Sequence, residues 1–265
     1  MQASMRWLLV IAVALALPPA ALADPPPSGI VHPSAPPGTP LVELGYQLYA
    51  GNCSSCHGSK GEGVPKLGAV EGAGDVPGAG PSLRSVGALS ADFYLRTGYM
   101  PLDDPGHQPH RSRVLFSNHE IEAMVAYVAS LGNGPPVPKP HPERGNVAEG
   151  LHLFTSHCAG CHQVVARGGY VTGGVAPPLS NSTAVQIAEA VRVGPYLMPT
   201  FSPHAISDRQ LDSIIAYVAY AKHPDDRGGW SIGRLGPVPE GLVTWWIAIV
   251  ALVASCLVLA GRLKS

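Results

Sequence analysis

One pentapeptide occurs twice, and it limits what this chain can fold into. Residues 45–57 read GYQLYAGNCSSCH and residues 150–162 read GLHLFTSHCAGCH, at a constant offset of 105. Gly45/Gly150, Leu48/Leu153, both cysteines and the histidine coincide, and Tyr49 answers Phe154. Two later blocks follow in the same order. Arg96-Thr97-Gly98-Tyr99-Met100-Pro101 corresponds to Arg192-Val193-Gly194-Pro195-Tyr196-Leu197-Met198-Pro199, and Ala126-Tyr127-Val128-Ala129 to Ala216-Tyr217-Val218-Ala219. Three blocks in one order describe two copies of one domain.

Each copy opens with a helix running into its cysteine pair and closes with another. Ser117 and Glu120 form a capping-box pattern ahead of Ile121, Met124, Val125 and Val128, and Gly132 is expected to end that helix. Ser207 and Gln210 repeat the box ahead of Leu211, Ile214, Ile215 and Val218. The fold class expected is mainly α, with two small tandem domains. Gly (31) and Pro (28) make up more than a fifth of the 265 residues. They gather in extended Pro-rich linkers and in a Gly-rich loop over residues 58–82.

Cys53-Ser54-Ser55-Cys56-His57 and Cys158-Ala159-Gly160-Cys161-His162 have the spacing of covalent haem c attachment. Two thiols three residues apart reach both vinyl groups of one porphyrin, and the next residue offers its imidazole to the iron. The cofactor expected is two covalently bound haem c groups with iron, held by Cys53, Cys56, Cys158 and Cys161. The alternatives are a thioredoxin-like redox pair, which has no need of the histidine, and zinc, which requires both pairs at one centre.

Apart from Met1 and Met5, the methionines are Met100, Met124 and Met198. Met100 and Met198 occupy equivalent places, each before a proline, and are expected to complete the iron ligands begun by His57 and His162. Met124 falls on an apolar helix face and reads as core. The alternative is that Met100 and Met198 only pack while His107, His110 or His204 ligates. His/Met ligation fills both axial positions and suits electron transfer rather than peroxide or oxygen chemistry. Pro81, in Gly80-Pro81-Ser82-Leu83, and Pro178, in Pro177-Pro178-Leu179, stand where a backbone carbonyl fixes the histidine tautomer.

The termini point to a membrane. Arg6, the apolar run Trp7–Leu17 and Ala21-Leu22-Ala23 have the form of a secretory signal peptide, with an uncleaved anchor as the alternative. Leu242 to Ala260 is 19 residues without a charge, long enough for one spanning helix. Trp245 and Trp246 suit the lipid–water boundary, and Arg262 and Lys264 place the C-terminus in the cytoplasm. Cys256, inside this helix, reads as a packing residue. The net charge of −1 argues against a nucleic-acid partner. Residues 41–134 carry net −3 and residues 141–228 net −1, so neither copy has a strong basic field to steer an acidic partner.

The expected order is a signal peptide over 1–23, a linker over 24–40, domain 1 over 41–134, a linker over 135–144 and domain 2 over 145–228. A segment leading into the membrane over 229–241, a transmembrane helix over 242–260 and a cytoplasmic tail over 261–265 complete it.

Tandem class I-type cytochrome c domains, Gly228-Gly229-Trp230 and Gly236-Pro237-Val238-Pro239-Glu240-Gly241 before the anchor resemble the diheme cytochrome c subunit of the actinobacterial-type cytochrome bc complex. The resemblance covers nearly the whole mature chain. It implies a translocase subunit of quinol–cytochrome c reductase with no independent catalysis. Electrons would pass from a Rieske iron–sulfur protein, fed by quinol at the cytochrome b subunit, through both haems towards cytochrome c oxidase. Membrane lipid is a further implied partner. The charged, Pro-interrupted loop between Met100 and Ser117 departs from the pattern, and its contacts are not assigned by the resemblance. Two other functions share these motifs: a diheme enzyme such as a peroxidase or thiosulfate-oxidising cytochrome, and a cytochrome subunit of a membrane dehydrogenase.

Overall fold

The computed structural model describes residues 29–64, 80–102, 109–223 and 237–263. The expected signal peptide, most of the Gly-rich loop, His107, residues 229–236 and Lys264 lie outside them. The first repeat contains α1 (Leu41–Asn52), α2 (Ser54–His57), α3 (Gly87–Arg96) and α4 (Asn118–Ser130). The second contains α5 (Val147–His157), α6 (Ala159–His162), α7 (Ala184–Val193) and α8 (Asp208–Lys222). It adds an antiparallel hairpin, β1 (Gly169–Val171) with β2 (Gly174–Ala176), pairing Tyr170 with Val175. A last helix, α9, spans Pro237–Leu263.

In each repeat the first and last helices cross at contact distance, and a glycine makes this possible. A Cβ on Gly45 would stand 2.0 Å from the Ala123 carbonyl oxygen, and one on Gly150 would stand 1.9 Å from that of Ser213. A turn further along, Tyr49 and Phe154, both 1% exposed, stack against Tyr127 and Tyr217. Their ring centroids are 5.0 and 5.4 Å apart, within the range of favourable aromatic pairs. Leu44, Leu48, Ile121 and Met124 continue this core in the first repeat, so Met124 packs as expected.

The caps at the last helices form as the sequence indicates. Glu120 N–H donates to Ser117 Oγ at 3.3 Å, and Ser117 N–H to Glu120 Oε2 at 2.8 Å. Ser207 and Gln210 form the same pair at 3.3 and 2.9 Å. Gly132 stands directly after Leu131, the C-cap of α4, at the place of a terminating glycine but without the left-handed backbone of that motif. The helix stops at Ser130, where the Leu131 N–H turns to the Val128 carbonyl.

The Pro-rich stretches are extended but are not free spacers. The Asn52 amide pairs with both backbone groups of Val31, His32 meets Glu120 at 2.7 Å, and Ile30 packs on the core. Between the repeats, the Pro135 carbonyl accepts from Leu89 N–H and His141 N–H donates to Asp212. The linker is therefore anchored to a different repeat at each end.

Residues 219–265 form a separate compact unit. Within it, Val238–Arg262 contains an 18-residue window of mean hydropathy 2.5, none of it buried. Trp245 and Trp246 are 70% exposed. Twenty-five helical residues rise roughly 37 Å, more than the ~30 Å of a bilayer's hydrocarbon core. Thr244 and Ser255 return their hydroxyls to carbonyls four residues back, which leaves them satisfied in lipid.

The Gly45→Ala and Gly150→Ala substitutions each force a methyl group into a backbone carbonyl. Each is expected to destabilise by about 3 kcal/mol, the top of the usual overpacking range. Denaturant unfolding of the purified variants measures it, and an unchanged midpoint would contradict the close crossing.

Candidate functional site

The cysteine motifs lie on equivalent short turns. Cys53 and Cys158 end α1 and α5, their N–H groups bonded to the Tyr49 and Phe154 carbonyls at 2.8 Å. They also start α2 and α6, so His57 and His162 close those turns onto the Cys53 and Cys158 carbonyls at 2.9 Å. None of the four motif cysteines is paired in a disulfide. Burial, then the neighbouring Cys56, pushes Cys53 up to about 12, and burial, then Cys161, pushes Cys158 up to about 11. Such thiols stay neutral at physiological pH, which suits a thioether sulfur better than a redox-active thiolate.

Both histidines are oriented by a proline carbonyl. His57 Nδ1 meets the Pro81 oxygen at 2.8 Å, and His162 Nδ1 meets the Pro177 oxygen at 3.0 Å. A carbonyl only accepts, so Nδ1 carries the proton and Nε2 keeps its lone pair for a metal. Pro81 stands as the sequence indicates. Pro178 does not: the acceptor is the residue before it, because Pro81-Ser82-Leu83 corresponds to Pro177-Pro178-Leu179. Leu83 and Leu179 confirm this register, their N–H groups bonding the equivalent loops at Gly61 and Ala166. Burial lowers the His162 pKa despite the opposing bond to Pro177, which keeps the imidazole neutral and able to ligate.

Met100 and Met198 follow helices α3 and α7, which neither the repeat blocks nor the capping boxes at Ser117 and Ser207 predict. Each helix runs out through a left-handed glycine, Gly98 at φ +68° and Gly194 at φ +65°. A Cβ there would meet the Ser112 oxygen at 2.4 Å or Thr200 Oγ1 at 2.3 Å. The arginine ahead of each glycine ties α3 or α7 to the start of the closing helix. Arg96 donates to Asn118 at 3.0 Å; Arg192 donates to Asp208 at 2.7 Å and to the Phe201 and Ile206 carbonyls at 2.9 and 2.8 Å. The arginine in Arg-x-Gly ahead of a methionine was visible in both repeats, and its role was the missed signal.

Cys158, Cys161, His162, Pro177 and Met198 line one largely apolar cleft that is open to solvent. Pro178 is not in its wall. Nor are His110 and His204, which are both exposed. Phe93, Tyr99 and Arg111 of the first repeat complete the wall. Two thiols, a tautomer-fixed imidazole and a thioether around one apolar cleft fit a covalently attached haem. In the first repeat the structure fixes His57 through Pro81 and holds Met100 half-buried beyond α3.

Residues 42–132 match the family described as Cytochrome c, and residues 145–218 match Cytochrome C oxidase, cbb3-type, subunit III. The cytochrome bc1 complex cytochrome c subunit of Mycobacterium tuberculosis (strain H37Rv) is 35% identical over 265 residues, covering 96% of this chain and 89% of that protein. This chain belongs to the family of cytochrome bc1 complex cytochrome c subunits. The Corynebacterium diphtheriae member is 33% identical over 84% of this chain and 81% of its own length. A cbb3-type cytochrome c oxidase subunit CcoP of Azospirillum is 28% identical, over 66% of this chain and 62% of its own. Cytochrome c domains imply covalently bound haem c, in agreement with the donor set of the cleft.

The Arg192 side chain is 10% exposed whereas Asp208 is 87% exposed, so the two carbonyls, not the ion pair, carry its contribution. Arg192→Met is expected to destabilise by about 3 kcal/mol and Asp208→Asn by under about 1 kcal/mol. Urea titration of both variants tests this ordering; equal effects would refute it.

Proposed function

We propose that this chain is a membrane-anchored diheme cytochrome c that carries electrons within a quinol-oxidising bc complex. The observation that carries the reading is the duplicated site. Each repeat presents two thiols, a histidine with its Nδ1 proton on a proline carbonyl, and a methionine beyond a left-handed glycine. Haem c bound there supplies a one-electron iron couple.

The protein's own residues account for the rest. Cys53 and Cys56, with Cys158 and Cys161, retain the group in an extracytoplasmic space where loss would be irreversible. His57 and His162 would ligate through Nε2, and the Pro81 and Pro177 carbonyls bonded to Nδ1 would strengthen them as donors. Met100 and Met198 would complete the iron's ligand set, which would raise the potential and exclude small oxidants. The two repeats thus favour a wire over an enzyme.

In this reading an electron enters the first site from a Rieske iron–sulfur subunit, supplied by quinol at the cytochrome b subunit. It leaves the second site towards cytochrome c oxidase. The names of the relatives, which include a bc1 complex subunit and an oxidase subunit, support such a position between reductase and oxidase. The signal peptide, the exposed apolar α9 and the basic tail support haem domains outside the membrane with a cytoplasmic C-terminus. Domain 1 over 41–134 and domain 2 over 145–228 are the proposed haem-bearing units.

A redox-resolved optical spectrum of the membrane-extracted protein, titrated with carbon monoxide or peroxide, tests the proposal. Two low-spin c-haems inert to both reagents are expected, and one reactive high-spin haem would overturn it. Met100→Ala or Met198→Ala should lower one potential and open one haem to carbon monoxide, leaving the other unchanged. If neither variant altered spectrum or potential, the methionine assignment would fall.

A further inference from the structure

The seam between the repeats buries a pair of acids that neither site uses. Glu189, on α7, has no exposed surface, and neither of its carboxyl oxygens has a hydrogen-bond partner among the described residues. Asp92, on α3, is 6% exposed and pairs with Arg96 at 2.8 Å. The two helices pack against each other across the seam. Gln186, three residues before Glu189, donates its amide to the Arg96 carbonyl at 3.3 Å. Arg111 of the first repeat closes the same end, donating to the Asn181 carbonyl, Ser182 Oγ and Gln186 Oε1.

The charged groups that bear on Glu189 are therefore Asp92 and Arg96, both from α3. The Arg192 side chain on its own helix is engaged by Phe201, Ile206 and Asp208. Arg96 is already committed to Asp92 and Asn118. A carboxylate shut off from bulk solvent in such a place has no counterion of its own, and a proton is the direct way to neutralise it.

We propose that a protonated Glu189, set against the Asp92–Arg96 pair, docks the second repeat on the first and is the positioning residue for the spacing of the two haem sites. Burial and then the Asp92 charge push Glu189 up to about 9, and Arg96 recovers only part of the shift. In water the same group titrates near 4.5. Between those values the docked state binds one proton more than the separated state. Docking therefore weakens as pH rises, by at most about tenfold per unit, and the loss levels off above the docked value. The consequence for electron passage rests on the function proposed above; the docking itself does not.

The test uses the haem-loaded full chain in detergent. Nitroxides at Glu122→Cys and Arg209→Cys, both exposed and one in each repeat, report the inter-repeat distance in a Cys256→Ser background. The ratio of docked to separated distances is expected to fall from pH 5 to pH 9. Glu189→Gln, neutral at every pH and nearly the same size, is expected to stay docked with a flat profile. Infrared spectra at pH 7 should show a protonated carboxyl band that Glu189→Gln removes. Asp92→Asn, a second variant in case the first does not assemble, should keep that band and reduce the pH slope. A distance that ignores pH, a slope unchanged in either variant, or no band removed by Glu189→Gln would overturn the proposal. Normal docking with no electron passage between the haems would instead count against the proposed function.

Discussion

The crossing of the first and last helices in each repeat is the contact on which the rest of the structure depends. Gly45 and Gly150 let those helices approach until a backbone carbonyl fills the space of a side chain. Only then do the Tyr49–Tyr127 and Phe154–Tyr217 pairs stack behind the crossing. Only then are Cys53 and Cys158, at the ends of those helices, held in a fixed place. A site built from short turns has little rigidity of its own, and here it takes its rigidity from a helix pair packed without a gap.

From that frame the ligands are set by backbone rather than by side-chain partners. Proline carbonyls orient the two histidines, and left-handed glycines aim the two segments that carry the methionines. Backbone groups do not titrate, so the acceptors that orient the imidazoles are the same at every pH. The titratable surplus of the molecule lies elsewhere, in the seam where α3 and α7 meet. The same two helices therefore serve two purposes: their ends lead to the methionines, and their flanks join the repeats.

Much of this was legible in the sequence because duplication made it so. A residue that recurs at a fixed offset in a diverged copy is constrained, and Gly45/Gly150, the motif cysteines and Met100/Met198 were all found that way. The capping boxes at Ser117 and Ser207 were readable because their chemistry is local. What escaped was of two kinds. Helices α3 and α7 are not legible although Thr183 and Gln186 form a third capping box, because ten residues are fewer than three turns, too short a window to establish a helical period. The Pro177 acceptor was misplaced by one residue because two adjacent prolines offer the same signal, and only the loop register separates them. The Asp92–Glu189 pair had no sequence signal, since it arises from two faces that meet only in the folded chain.

The two copies have also ceased to be interchangeable. In the first repeat the hydroxyl that fastens the loop after the histidine comes from the opening helix, Tyr49 to the Gly58 carbonyl at 2.6 Å. In the second, Phe154 lacks it, and the closing helix supplies it instead, Tyr217 to the Val164 carbonyl at 2.6 Å. One bond has migrated from one ring of a stacked pair to the other, with the stack itself preserved. A chimera carrying the second opening helix in the first repeat would keep its shape and its thiols but leave the Gly58 carbonyl without that donor. Divergence after duplication has turned two equal modules into complementary parts.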